Sequence, residues 1–298
     1  YRPAIDTGGR LLVATALGTT VVAFVLADRR DFGAGFVAER PGPGRARPYL
    51  GTVVGLSMRL QRASIVGWTA SLAIAGFVFG LFTEAMLDAS DDLPEVIEEL
   101  FGADDLVAGY LGVMALLMAI MIAVYAVLAV QSMRTEETSG RGDAVLATPV
   151  SRRAWLAATT AVTAAGTLLM SVVVGAAQGL GAAATTDDAG HVWDLTLAQL
   201  NMVPPVLVVV GVATLLFGAW PRLIGAAWAI LGFAFFVSTF GELLDLPQAV
   251  RDLSPFEHSS QMPLEPFAAA PTVVLTALAV ALAGIGVALF ERREYNLV

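Results

Sequence analysis

The chain has 298 residues, of which 57% are hydrophobic and only 14% charged, with a net charge of −9. That apolar share is beyond what a soluble domain carries and marks a polytopic membrane protein. Cysteine is absent, which excludes disulfides and thiolate metal sites; lysine is absent too, which excludes a G-x-x-x-x-G-K-[ST] loop, because that loop needs its lysine on the β and γ phosphates of a nucleotide.

No methionine, basic leader or small-residue cleavage site precedes the first apolar run, so no signal peptide is expected, and the abrupt start at Tyr1 reads as that of a fragment or processed product. Seven apolar runs approach the ~20 residues that cross a ~30 Å hydrocarbon core as a helix. They are Leu11 to Ala27, Ile65 to Phe82, Leu111 to Val130, Ala154 to Leu180, Val203 to Trp220, Leu223 to Phe240 and Thr272 to Phe290. After the first comes a breaker-rich linker, Arg40-Pro-Gly-Pro-Gly-Arg45-Ala-Arg47-Pro48. From Tyr49 to Arg62 helical spacing resumes, with Arg59 and Arg62 on one face. This segment reads either as an amphipathic helix in the interface, its arginines snorkelling to phosphates, or as the start of the second span.

Beyond the second run, Ser90-Asp91-Asp92-Leu93-Pro94 has the composition of a helix start, and Gly102 of its end. On the third span Met114, Met118, Met121 and Tyr125 share a face, which offers a candidate lining for a bulky apolar substrate or an ordinary packing stripe. Arg134 to Arg153 is a charged island between two spans, so it must lie in water. Phe233, Phe235, Phe236 and Phe240 enrich the sixth span and are candidates for the same path. Gly241 to Ala270 mixes four prolines with apolar residues and charges, which suits a re-entrant element whose broken backbone is satisfied by protein, or a solvated loop. His191 and His258 have no zinc spacing and no nucleophile around them, so neither a catalytic nor a metal site is expected.

Fourteen of the arginines fall in alternate connections, after the first, third, fifth and seventh runs. The positive-inside rule makes that side the cytoplasm, with the N-terminus outside and the C-terminus inside. Acidic residues gather on the other side, between Glu84 and Asp105, at Asp187, Asp188 and Asp194, and from Glu242 to Glu265. Arg29-Arg30-Asp31-Phe32 after the first run is echoed by Arg292-Arg293-Glu294-Tyr295 after the last, as if residues 1–30 closed one repeat and the following six spans formed a second.

In this order the chain resembles the permease subunits of ABC-2 type exporters, specifically the long two-unit permeases of tetronasin-type polyketide antibiotic export. The likeness is carried by Arg29 to Gly35, Arg59-Leu60-Gln61-Arg62 with Gly67-Trp68, the island Arg134 to Arg153, Phe217-Gly218-Ala219-Trp220-Pro221-Arg222, and Leu253-Ser254-Pro255-Phe256-Glu257-His258 followed by Pro263. The resemblance implies an all-α, type V exporter-like fold. Residues 31–63 become the linker and connecting helix, and 64–298 one six-helix transmembrane unit. Within that unit it implies a coupling loop at 134–153, with Arg134, Glu136, Glu137, Gly140, Arg141 and Asp143 as contacts to an ATPase, and an external re-entrant segment at 241–270, with Ser254, Pro255, Phe256, His258 and Pro263 as its motif. Asp143 stands where the family usually has glutamate, and Ala144-Val145 where it has leucines.

Its further implications are a permease in the plasma membrane that expels a hydrophobic antibiotic or drug-like compound. ATP and magnesium would be bound only by partner ABC ATPase subunits, with no cofactor in this chain and no nucleic acid. A preceding half or second transmembrane unit would complete the pathway. Export of a lipid or cell-surface glycan is the alternative within the fold; a membrane-embedded enzyme and a structural anchor are alternatives outside it.

Overall fold

The computed structural model describes residues 3–28, 48–88 and 106–293. The Arg29 to Gly35 motif, the linker through Arg47, the helix expected from Ser90 to Gly102, and the Glu294-Tyr295 half of the terminal echo lie outside them. Among the described residues the fold is all helical, with six helices long and apolar enough to cross a membrane. The protein is therefore a multi-pass membrane protein.

The first unit, residues 1–46, contributes α1 (Pro3–Asp28), whose described apolar stretch is Val13–Val25. The second unit, residues 47–298, contains the rest. A single turn at Pro48–Gly51 leads into α2 (Val53–Leu81), capped by the Thr52 hydroxyl accepting from Gly55 N–H. Nothing interrupts α2 at Arg62: Val53 to Arg62 is continuous with the rest of the helix, and its Ser57 and Gln61 face protein.

A short α3 (Thr83–Asp88) follows, then α4 (Leu106–Thr138), α5 (Arg141–Leu146) and α6 (Arg152–Thr186). Asp187, in the left-handed region at φ 55°, stops α6, and the Asp188 carboxylate accepts from Gly190 N–H to start α7 (Gly190–Asn201). With only Met202 between them, α8 (Val203–Ala219) continues from α7, and Pro204 and Pro205 occupy its first turn, where missing N–H groups cost nothing. The fifth span is thus the run Gly190–Ala219, longer at its start than the hydropathy of Val203 to Trp220 indicates. His191 consequently sits in the first turn of a helix. The chain ends with α9 (Ala226–Phe240), a cap containing α10 (Gln248–Arg251) and a turn at Pro255–His258, and α11 (Ala269–Arg292).

Packing sorts these helices into two close pairs, α2 with α6 and α8 with α11, around α4. Lipid rewards apolar burial poorly, so membrane helices associate by close fit and by interhelical hydrogen bonds. The fit is at glycine. A methyl group at Gly80 of α2 would overlap the Gln178 carbonyl of α6, and one at Gly218 of α8 would overlap the Gly286 carbonyl of α11.

The hydrogen bonds converge on Gln61. Its side-chain oxygen accepts from Tyr125 Oη at 3.2 Å and Thr163 Oγ1 at 3.1 Å, and its Nε2 donates to the Thr159 carbonyl at 3.2 Å. One buried amide therefore ties α2, α4 and α6 together. Elsewhere Thr160 meets Thr214 between α6 and α8, and Trp228 Nε1 donates to Gln131 between α9 and α4.

Replacing Gly80 by alanine should force α2 from α6 at a cost of about 1–3 kcal/mol, read as a lower melting temperature in detergent. Gly232→Ala, on α9 where a Cβ meets nothing within 4 Å, should leave melting unchanged or raise it slightly.

Candidate functional site

The C-terminal ends of α4, α8 and α11 and the N-terminal end of α6 meet at one end of the unit, where Arg134, Arg141, Arg152, Arg153, Arg292 and Arg293 gather. The chain leaves α4 through Ser139 and Gly140. Gly140 adopts φ 72°, the left-handed conformation that reverses the chain without the penalty a side chain would add. After the turn, α5 carries half-buried Val145 and Leu146, which pack with Val150 against the main apolar core. Ser151 then caps α6 by accepting from Ala154 N–H at 3.1 Å.

An ion pair joins the start of this small helix to the end of α4. Arg141 donates through Nε and Nη2 to both oxygens of Glu136, each at 2.9 Å, a bidentate pair spanning the Gly140 turn. The Glu136 hydrogen bond, with its charge, pushes the exposed Arg141 guanidinium above its ordinary value. The face left to solvent consists of Gly140, Arg141, Ala147, Thr148 and Pro149, while Arg134 is half-buried on α4. Asp143 lies in the middle of α5.

Glu137, expected among the docking contacts, has a partner within the chain. Its carboxylate is turned inward and paired with Arg293 at the end of α11. The same guanidinium donates Nη1 to the Phe217 carbonyl of α8 at 3.1 Å and lies over the rings of Phe290 and Phe217, 4.9 and 5.6 Å from their centroids. A cation at a helix C-terminus and over aromatic faces is favoured on both counts. Arg152 donates to the Arg293 carbonyl at 2.7 Å, and Arg153 pairs with Glu291, so α6 is fastened to α11 as well. Beneath Arg293, Phe217, Phe290 and Trp155 form a buried aromatic group, with centroids 5.4 Å (Phe217–Phe290) and 6.2 Å (Trp155–Phe290) apart. None of these partners is apparent from sequence, where Arg292 and Arg293 read as an echo of Arg29 and Arg30.

The two candidate path stripes are not brought face to face. Met118 and Tyr125 are buried in the core, and Met114 and Met121 are half-buried, because α4 is surrounded by α2, α6, α8 and α9. Phe233 and Phe236 point outward, 38% and 46% exposed, while Phe240 is half-buried and packs on Phe236 with centroids 5.7 Å apart.

At the opposite, acidic end, residues 241–268 form the cap. Ser254 is buried, accepts from Phe256 N–H at 3.3 Å and meets Ser238 of α9 at 2.9 Å between hydroxyls. Phe256 inserts into the main core after Pro255. His258 is exposed with Nε2 2.8 Å from the Asp252 carbonyl, Pro263 follows a cis bond, and Asn201 at the end of α7 donates to the Ser260 carbonyl at 2.8 Å.

Residues 50–291 match the family model described as the multidrug efflux system permease Rv1217c, C-terminal domain. Over 288 residues the chain is 33% identical to the multidrug efflux system permease protein Rv1217c of Mycobacterium tuberculosis (strain ATCC 25618 / H37Rv), an alignment covering 95% of this chain and 53% of that protein. The chain thus spans about half the length of that relative.

Glu137 and Arg293 are 17–18% exposed, so breaking the pair should cost less than the roughly 3–5 kcal/mol of a fully buried one. In detergent melting, Glu137→Gln should lower stability by about 1–2 kcal/mol. Arg293→Gln should lower it further, because it also removes the bond to Phe217 and both ring contacts. Equal losses would show that the rings and the carbonyl contribute nothing.

Proposed function

The chain belongs to the family of the multidrug efflux permease C-terminal domain, and we propose that it is the transmembrane permease subunit of an ATP-driven exporter carrying a hydrophobic, drug-like compound out of the cell. The observation that carries this reading is the arginine-rich end. A short helix, α5, stands between two spans, is pinned by a bidentate ion pair and an apolar face, and presents Arg141 and the Ala147-Thr-Pro149 turn to solvent. A small rigid helix offered beyond a membrane bundle suits a groove on a soluble partner.

That partner is an ABC ATPase, because the chain has no lysine for a phosphate loop of its own. ATP-driven closure of two such subunits pushes α5, and the spans fastened behind it follow as rigid bodies. Arg141 and Gly140 act at the contact. Glu137 acts behind it, joining the loop to α11 through Arg293.

The finer parts of the reading belong to the same proposal. The chain is a permease of the ABC-2 type, akin to tetronasin-type exporters, with its arginine-rich end in the cytoplasm and its acidic end outside by the positive-inside rule. A second transmembrane unit completes the pathway, and Phe233 and Phe236, exposed on α9, face it or lipid.

Arg141→Glu tests the contact. With the ATPase co-expressed, the variant should reach the membrane and melt within a few degrees of wild type, since the residue is solvent-exposed. It should lose most drug-stimulated ATP hydrolysis and raise intracellular accumulation of an apolar dye. Wild-type efflux in Arg141→Glu would remove α5 from the coupling route.

A further inference from the structure

Among the described side chains at the arginine-rich end, the carboxylates are taken: Glu136 by Arg141, Glu137 by Arg293 and Glu291 by Arg153. Two guanidinium groups have no such partner. Arg59 and Arg62 stand early in α2, both exposed, and form no ion pair with a described residue.

Their direction is fixed from behind. Ser57 meets Thr159 of α6 at 3.4 Å between hydroxyls, and Gln61 is bonded to Tyr125 and Thr163, so this part of α2 presents its other face outward. By helical spacing Arg59 and Arg62 fall on that outer face, and Val66, Ala70 and Phe77 continue it along the helix, all exposed. Length gives the depth. Between Arg62 and Leu81 α2 carries no charge, and that stretch is about 28 Å long, close to the ~30 Å of a hydrocarbon core. The arginines therefore stand at the edge of the core, level with lipid phosphates, and the apolar stripe runs from them into the bilayer.

A ligand that answers both features is an amphiphile with an anionic head and apolar tails. Residues three apart on a helix have Cβ atoms ~5–6 Å apart, so one phosphate can accept from both guanidinium groups. A zwitterionic head brings its own cation to the same place; a net-anionic head does not. A soluble anion answers the arginines alone and leaves the stripe bare.

We propose that Arg59 and Arg62 hold the phosphate of one anionic phospholipid, in the leaflet at the arginine-rich end, with its acyl chains along Val66, Ala70 and Phe77. Gln61 lies on the same turns and is bonded to α4 and α6, so the lipid sits against the outside of the contact that joins three helices.

Binding is measured on the full chain in detergent by native mass spectrometry, with phosphatidylglycerol and phosphatidylcholine of matched acyl chains as probes. Phosphatidylglycerol should bind about 25-fold more tightly, since each basic residue near a membrane surface contributes about fivefold, and less so as ionic strength rises. Arg59→Gln and Arg62→Gln should each lose about fivefold of that preference, and the double variant should bind the two lipids alike. Melting in phosphatidylcholine should be unchanged, because both side chains are exposed. Arg222→Gln, which removes an exposed arginine off α2, should keep the full preference.

A preference that survives in the double variant, or that Arg222→Gln lowers as much as the α2 variants do, overturns the site. Displacement of the lipid by millimolar inorganic phosphate also overturns it, by assigning the two arginines to a soluble anion.

Discussion

Where no water rewards the burial of apolar surface, helices stay together by fitting, and here the fit is made where backbones touch. Gly80 lets α2 approach α6 and Gly218 lets α8 approach α11, each to a distance that a single methyl group would forbid. Two tight pairs result, with α4 enclosed between them. Enclosure has a second consequence, because a polar group that α4 and its neighbours carry inward costs free energy unless protein supplies a partner. Gln61 meets it for Tyr125 and Thr163 at once, so the same contact that satisfies hydrogen bonds also sets the rotation of three helices.

At the arginine-rich end a different economy applies. Arg293 keeps its charge at the edge of an apolar core because four contacts replace water: the Glu137 carboxylate, a helix-terminal carbonyl and two ring faces. The aromatic group beneath it closes the bundle against solvent, and α5 rests beside that closure on Val145 and Leu146. Charge and packing therefore place α5 together, and the Glu136–Arg141 pair only refines its start.

Spans were legible in the sequence because a bilayer imposes a length, and every long apolar helix corresponds to an apolar run. Their limits were less so. Hydropathy loses a helix where it turns polar residues toward protein or water, which is why the second apolar run begins only at Ile65, after Ser57 and Gln61, and why Asp194 hid α7. Periodicity placed Met118 and Tyr125 on one face, yet a stripe does not say what it faces, and for α4 the answer is other helices. The Glu137–Arg293 pair joins residues 156 apart and leaves no local pattern.

One helix reaches both ends of the unit. Gly112 and Leu116, near the start of α4, line a cavity at the acidic end; Tyr125, near its middle, is bonded to Gln61; Glu137, in its last turn, holds Arg293. Twenty-five residues separate Gly112 from Glu137, roughly 37 Å of helix. A rod of that length, bonded near its centre to Gln61 and held near its end by Arg293, gives the two ends of the unit one shared rigid member. Any change in the tilt of α4 would therefore be felt at both ends of the bundle at once.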